Sequence, residues 1–169
     1  MHISEIYKSI YRYYGTATPL LVDCGDLCGG ACCESLDEEE TGMYLFPGEE
    51  KIFENNPDFK IVPSEFLYRD NKCANILICK GICNRVIRPL SCRIFPVVPY
   101  IRENKFELIF DPRAKSICPL VELPDFTNLD KVFLKKTRNV INLLMKFQET
   151  RLFLESLTDI VDDFLKFGL

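Results

Sequence analysis

The feature that most constrains this chain is the stretch DCGDLCGGACCE at residues 23–34, which places four cysteines within ten positions. The interspersed glycines favour a loop wrapped around a centre, because glycine lets the backbone approach a bound group closely. Five more cysteines follow, and the single histidine is His2. A metal bound here would therefore be held mostly by sulfur. The thiols of this first stretch are those of Cys24, Cys28, Cys32 and Cys33.

The remaining composition bears on where the protein works and what it binds. The first fifteen residues show neither an apolar core nor a small-residue cleavage site, so no secretory signal is expected. Charged residues interrupt every apolar-rich segment within about 20 positions, so no membrane span is expected. We therefore expect a cytoplasmic protein, where dense cysteines indicate metal or redox chemistry rather than disulfides. The net charge of −4 argues against a nucleic-acid partner.

The spacing of apolar residues predicts helices at both ends of the chain and strands between them. We interpret residues 1–169 as one α+β domain. In it, a small cysteine-rich strand-and-loop metal-binding region (23–119) packs against an N-terminal helix and a helical C-terminal part (127–169). The predicted elements are a helix over 3–14 ended by Gly15, a short helix from Pro47, strands at 59–69 and 74–79, a hairpin over 97–110, and helices over about 127–147 and 151–166.

The other cysteines also precede the C-terminal helices, which contain none. Cysteines used as ordinary core residues would be scattered through every apolar element. Cys79 and Cys83 flank a glycine turn that lets two thiolates converge, and Cys92 and Cys118 would complete a four-thiol site. Cys73 stands apart, because six residues of straight strand would place it about 20 Å from Cys79. Cys73 is then either a buried thiol or part of another site.

Two details of this pattern leave alternatives open. Adjacent side chains diverge in regular structure, so Cys32 and Cys33 reach one ion only across a tight turn; otherwise they serve two neighbouring centres.

Arg85, Arg88 and Arg93 lie near the later cysteines in the sequence. They either lower thiol pKa values and offset thiolate charge, or form a surface ion-pair network.

The identity of the metal also stays open at this point. All-sulfur ligation suits both zinc and an iron–sulfur cluster. The C-x2-C knuckles usual in zinc fingers are absent, and the spacings differ from the common ferredoxin runs and from the C-x3-C-x2-C motif of radical SAM enzymes. The number of cysteines and the density of glycine favour iron–sulfur slightly.

Three segments, CGDLCGGACC, GMYLFPGEE (42–50) and CKGICNRVIRPLSCRIFP (79–96), resemble the YkgJ-type cysteine-cluster proteins, a family described as zinc- or iron-chelating. The resemblance covers roughly residues 23–119, and RPLSCRIFP is its most specific part. The first motif is commonly C-x2-C-x2-CC, and here each gap is one residue longer. The resemblance implies a metal-binding protein with Arg88 and Arg93 as charge partners behind the ligands, and with Pro89 and Pro96 fixing the loop that carries Cys92. The ligands it implies are Cys24, Cys28, Cys32, Cys33, Cys83 and Cys92, joined by Cys79 and Cys118.

Three functions are consistent with these observations. In the first, the metal is chiefly structural, and an exposed surface binds a protein partner. In the second, the protein is a cluster-dependent redox or group-transfer enzyme whose reactive thiol is Cys73 or whichever of Cys32 and Cys33 does not ligate; a similar cluster occurs in flagellin lysine N-methylases. In the third, the protein stores or delivers metal. Because His2 is the only histidine, hydrolysis by a histidine base is not expected.

Overall fold

The computed structural model describes residues 3–33, 42–69, 72–79 and 85–167 of the chain. Helices and strands both occur, as the α+β prediction requires. Each of the three long helices has one apolar face that is buried. The described residues form five helices: α1 (Ile3–Tyr14), α2 (Gly25–Cys28), α3 (Leu90–Ile94), α4 (Lys131–Leu144) and α5 (Gln148–Phe167).

Two small antiparallel sheets lie between the helices in sequence. The first has the strand order β1-β3-β2 and consists of β1 (Gly42–Tyr44), β2 (Phe59–Arg69) and β3 (Lys72–Cys79). The second is the hairpin of β4 (Val97–Arg102) and β5 (Lys105–Phe110). Its turn residues Glu103 and Asn104 both have positive φ, as a two-residue hairpin turn of the primed type requires. The predicted strands and hairpin are confirmed.

Two predicted elements differ from the structure. The short helix expected from Pro47 is a single 3-10 turn at Glu49–Ile52, preceded by Gly48 in the left-handed region. Cys92, expected on a loop, lies within α3 instead, because Pro89 adopts the extended conformation of a residue that precedes a helix. Both segments are short, and contacts from other parts of the chain fix their conformation.

The hydrophobic core lies between the sheets and the long helices. Helix α5 packs against β2 and β4, and α1 packs against α4 and the 3-10 turn at Glu49–Ile52. Among the eight described cysteines, only Cys118 is buried. In the part of the chain that the structure describes, no helix is both long and apolar enough to cross a membrane. The largest fully buried side chains include Tyr7, Tyr14, Phe46, Phe133, Phe153 and Leu154.

Candidate metal centre

Helix α1 holds the segment that carries Cys92 through the hydroxyl groups of its tyrosines. The Tyr11 hydroxyl donates to Oε1 of Glu49 at 2.5 Å, and the Tyr14 hydroxyl donates to the backbone carbonyl of Arg93 at 3.1 Å. The Tyr14 hydroxyl also lies 2.9 Å from the hydroxyl of Thr137 on α4. The tyrosine stripe of α1 is therefore core packing that also fixes α3 in position.

Glu49 is fully buried beside the start of α3. Its Oε1 also accepts from the backbone N–H of Leu90 at 2.6 Å, and its Oε2 accepts from that of Phe46 at 3.0 Å. Leu90 is the first residue of α3, whose free N–H groups are stabilised by a nearby anion. Burial raises the pKa of Glu49 to about 7, while the hydrogen bond from Tyr11, the two backbone amides and the charge of Arg93 act in the opposite direction.

Arg93 is only 5 % exposed, and its guanidinium is bonded to backbone carbonyl groups. It donates to Arg88 at 2.6 Å, to Gly15 at 2.8 Å and to Val86 at 2.7 Å, and it lies 4.3 Å from the centre of the Tyr11 ring. These bonds connect α3 to residues 85–88 and to the end of α1. These hydrogen bonds make Arg93 an anchor for the backbone around the cysteines, and its expected role as a charge partner of thiolates stays a prediction.

The first cysteine motif folds into one helical turn followed by a reversal. Cys24 precedes α2 and Cys28 ends it, so their side chains are four residues apart, on one side of the helix. Gly29 and Gly30 then take positive φ angles of 66° and 80°, which glycine adopts without strain. A 3-10 turn at Ala31–Cys33 follows. The glycines predicted a loop, and the structure places a short helix before the reversal.

Three of the four cysteines of this motif, Cys24, Cys28 and Cys32, line a cavity together with Cys118. We call it the apolar cavity. The pKa of Cys118 is raised by burial, and the neighbouring thiols of Cys28 and Cys24 act in the same direction. The shared cavity places Cys118, about ninety positions away in sequence, beside the first motif. The apolar cavity is lined by Cys24, Cys28, Cys32, Cys118, Leu27, Phe95, Pro96, Ile117, Pro119 and Leu120.

A second cavity adjoins the first and shares Cys24, Cys32 and Phe95 with it. We call it the cationic cavity, since three arginines lie in its wall; it encloses about 400 Å³, counting its open mouth. Arg85 also forms an ion pair with Asp23, which precedes the first cysteine. The cationic cavity is lined by Cys24, Cys32, Cys92, Arg85, Arg88, Arg93, Phe95 and residues 15–19.

Cys32 and Cys33 are consecutive residues of the 3-10 turn at Ala31–Cys33. The hydrogen-bonding interaction between their thiols lowers the pKa of Cys33 to about 6 and raises that of Cys32. Arg88 and Arg85 also lower the pKa of Cys33, against burial. That both thiols face one ion stays a prediction.

Among the described residues, the structure brings most of the predicted ligands together and places Cys79 apart from them. Six of the eight surround or adjoin the two cavities. Cys79 lies at the end of β3 opposite Phe59 and lines neither cavity. Cys73 lies on the same strand as Cys79, as predicted, but it is exposed, so the prediction that it is a buried thiol was wrong. Cys83 lies outside the described residues. The six gathered cysteines are Cys24, Cys28, Cys32, Cys33, Cys92 and Cys118.

Within residues 3–33, 42–69, 72–79 and 85–167, no group of three or more His, Cys, Asp or Glu side chains is arranged to hold a metal ion. The donor chemistry around the cavities nevertheless fits a soft metal, since the convergent ligands are all sulfur. Rotation about one side-chain bond moves a cysteine sulfur between staggered positions. The sulfurs lining the apolar cavity can therefore change their separations while the backbone stays in place.

Sequence reasoning missed Glu49 and the hydrogen bond that it accepts from Tyr11. Glu49 and Glu50 are adjacent glutamates, and the sequence pattern around them does not indicate which of the two side chains is buried. The segment GMYLFPGEE offered a signal, because it belongs to the stretch resembling cysteine-cluster proteins but contains no cysteine. A matching segment without ligands is expected to support the site rather than to bind at it.

Comparisons of the chain with protein-family models, with curated proteins and with solved structures found no match. The resemblance to the YkgJ-type proteins thus remains a prediction from the quoted motifs.

Proposed function

We propose that this protein binds a thiophilic metal ion or an iron–sulfur cluster through the cysteines around the two cavities. The observation that carries the proposal is the convergence of Cys24, Cys28, Cys32 and Cys118 on the apolar cavity. These thiols come from two segments far apart in sequence. Four thiolates are the number that a closed tetrahedral zinc site or a cubane cluster requires.

Cys92 and Cys33 extend this set on the side of the cationic cavity. Cys92 shares that cavity with Cys24 and Cys32, and Cys33 follows Cys32 in the 3-10 turn. One tetrahedral ion binds four thiolates, and six thiols are present around the two cavities. The arrangement is therefore compatible either with one cluster and two unused thiols or with two neighbouring ions. We propose Cys24, Cys28, Cys32 and Cys118 as the primary ligands, with Cys33 and Cys92 as the additional ones.

The arginines support the binding of anionic sulfur. A site of four thiolates and one divalent ion carries about two negative charges, which are costly to bury without compensation. Arg85 and Arg88 act on the pKa of both Cys24 and Cys33, and they favour the thiolate form in each case. In our proposal these two arginines offset the charge of the centre, while Arg93 maintains the backbone around it.

The metal would stabilise the cysteine segment rather than the whole domain. Residues 15–33 contain one four-residue helix and little buried apolar surface, so metal binding would supply the contacts that fix them against α3 and Cys118. Among the described residues, Cys118 is the only cysteine buried in the main core, which is formed chiefly by the sheets and the long helices. The metal is therefore proposed as a local structural element, accessible from the surface because Cys32 is exposed.

The proposal is tested by purifying the full chain without oxygen and measuring zinc, iron, labile sulfide and the visible spectrum. Broad absorption near 400 nm together with iron and sulfide would identify a cluster, since thiolate-bound iron–sulfur centres absorb there. Stoichiometric zinc in a colourless protein would identify a zinc site. Absence of both metals in stoichiometric amount, with the six thiols fully reactive to alkylation, would contradict the proposal.

A further inference from the structure

We propose that the cationic cavity binds a small tetrahedral oxyanion, for which inorganic phosphate is the simplest example. This function goes beyond metal binding and does not require it, because the groups that would contact the anion are arginines rather than thiols. Arg85, Arg88 and Arg93 line the cavity, and among the described residues that line it none carries a carboxylate. A recess walled by charges of one sign attracts ions of the opposite sign.

The backbone that carries these arginines is held in place without a ligand. Arg93 is buried, and it donates from each of its three guanidinium nitrogens to a backbone carbonyl, two of which belong to Val86 and Arg88. Arg93 therefore adds charge to the cavity and fixes its wall, while contact with an anion falls to Arg85 and Arg88. A site whose backbone is already fixed loses less conformational entropy when a ligand binds.

The charge of Arg85 is shared with Asp23, whose carboxylate forms an ion pair with Nη2 of Arg85. Asp23 does not line the cavity, and its side chain is 47 % exposed. A guanidinium has five N–H donors on three nitrogens, so an ion pair through one nitrogen leaves donors that can reach a second anion. Asp23 thus opposes the binding of an oxyanion without preventing it.

The two contact arginines favour an anion with more than two oxygens. A guanidinium binds the oxygens of carboxylates and phosphates in pairs. One such contact uses both oxygens of a carboxylate, whereas a tetrahedral oxyanion offers separate oxygens to Arg85 and Arg88. Thr16 also lines the cavity, and its hydroxyl can donate to a further oxygen. The cavity encloses about 400 Å³ with its open mouth, which leaves room for such an ion or for the phosphate group of a small molecule.

The proposed metal centre is compatible with an anion in this cavity. Its primary ligands converge on the apolar cavity, and of these ligands only Cys24 and Cys32 also line the cationic cavity. An oxyanion bonded to Arg85 and Arg88 would lie closer to their charges than to a metal in the apolar cavity, and the interaction between charges falls with distance. Loading the centre should therefore weaken oxyanion binding without abolishing it.

The site is tested by isothermal titration calorimetry of the full chain, as purified, with inorganic phosphate in a chloride buffer of fixed ionic strength. We expect saturable binding of one phosphate per chain, comparable binding of sulfate, and binding of acetate that is about ten-fold weaker. Absence of saturable phosphate binding would overturn the site. Acetate that binds as tightly as phosphate would overturn the preference for a tetrahedral anion.

Glycerol 3-phosphate distinguishes the source of the anion. Tighter binding of this ester than of inorganic phosphate would assign the cavity to a phosphorylated small molecule. Equal or weaker binding of the ester would assign it to the free ion. Either order supports an oxyanion site, since both compounds present the same group to the arginines.

Substitutions test the two charges that act in opposite directions. Arg88→Gln should weaken phosphate binding about ten-fold, because a hydrogen bond from a charged donor is lost. Arg138→Gln, which removes an exposed charge on α4, is the matched control and should leave the affinity unchanged. Asp23→Asn should strengthen binding several-fold, because it removes the charge that competes for Arg85. Its amide oxygen can still accept the 2.8 Å hydrogen bond from the backbone N–H of Gly25.

The ion pair itself supplies the control against a merely structural effect. Arg85→Gln and Asp23→Asn both break this pair, so a structural role of the pair would weaken phosphate binding in both variants. We expect weaker binding in Arg85→Gln and tighter binding in Asp23→Asn. Weaker binding in both, or an unchanged affinity in Arg88→Gln, would overturn the proposal.

The metal content of the same samples keeps this inference separate from the metal proposal. Phosphate binding by a chain that contains neither zinc nor iron would refute only the metal proposal. A metal-loaded chain that binds no phosphate would refute only this one.

Discussion

The carboxylate of Glu49 accepts a hydrogen bond of 2.6 Å from the backbone N–H of Leu90, the first residue of the short helix that carries Cys92. A fully buried carboxylate thereby stabilises the start of a five-residue helix that is too short to be stable by itself. The position of one thiol of the candidate centre thus depends on a residue more than forty positions away, in a segment that contains no ligand.

Glu49 makes the stability of the fold depend on pH. Its pKa is raised from 4.5 to about 7 in the folded chain, so between these values the native state binds a proton that the unfolded chain has lost. This contribution to the free energy of unfolding is fully present below about pH 4.5 and is lost as the pH rises through 7. Glu49→Gln removes the titration, so its stability relative to the unsubstituted chain should increase by on the order of 3 kcal/mol between pH 4.5 and 8.

Urea unfolding of both chains at several pH values measures this difference. Tyr11→Phe provides a second check, because it removes the hydrogen bond that lowers the pKa of Glu49 and should move the transition to higher pH. If the stability of the Glu49→Gln chain and that of the unsubstituted chain vary in parallel over the whole range, the buried carboxylate does not titrate as described.

Arg93→Lys should destabilise the protein strongly, although it conserves the charge. A lysine ammonium cannot reproduce the planar arrangement that bonds the three carbonyls of Gly15, Val86 and Arg88 at once. Since buried carbonyl groups would lose their donors, we expect a loss of about 3 kcal/mol in the free energy of unfolding. Chemical denaturation measures it, and Arg138→Lys on the exposed side of α4 is the matched control. A loss of less than about 1 kcal/mol, the worth of a surface ion pair, would contradict the anchoring role.

Substitutions of single cysteines should separate ligands from bystanders. Cys24→Ser and Cys32→Ser each remove a thiol that lines both cavities, so we expect the metal content of the purified protein to fall to a small fraction of its normal value. Cys79→Ser should retain the normal content, because Cys79 lies at the end of β3 and lines neither cavity. Metal loss in the Cys79 variant, measured by elemental analysis, would restore the ligand role that the sequence motif implies.

Removal of the metal should loosen the cysteine segment and leave the core folded. The main core draws its large side chains from the sheets and from α1, α4 and α5, and Cys118 is the one buried thiol that it includes in the part of the chain that the structure describes. After chelation we expect amide hydrogen exchange to accelerate in residues 15–33, with protection retained in α4 and α5. Cooperative loss of protection throughout the chain would instead assign the metal a global structural role.

The sequence predicted those parts of the fold that depend on local pattern. The alternation and helical spacing of apolar residues are properties of short segments, so α1, β2, β4 and β5 fall where the pattern placed them, and α4 and α5 within a few residues. The same reasoning failed at Glu49–Ile52 and at α3, where the segments are only a few residues long. Contacts from α1 and from Glu49 decide their conformation, and no local pattern describes those contacts.

For the candidate site, the sequence by itself determined the chemistry: nine thiols with one histidine restrict the ligands to sulfur, and Gly29 and Gly30 permit the reversal before Cys32. Only the tertiary structure decided which thiols meet. It gathers Cys118 and Cys92 around the first motif and leaves Cys79 at the end of β3, because proximity across the chain is set by how the sheets and helices pack. It also gave Arg93 an anchoring role that the sequence did not indicate, since the packing of α3 directs its guanidinium to three backbone carbonyls.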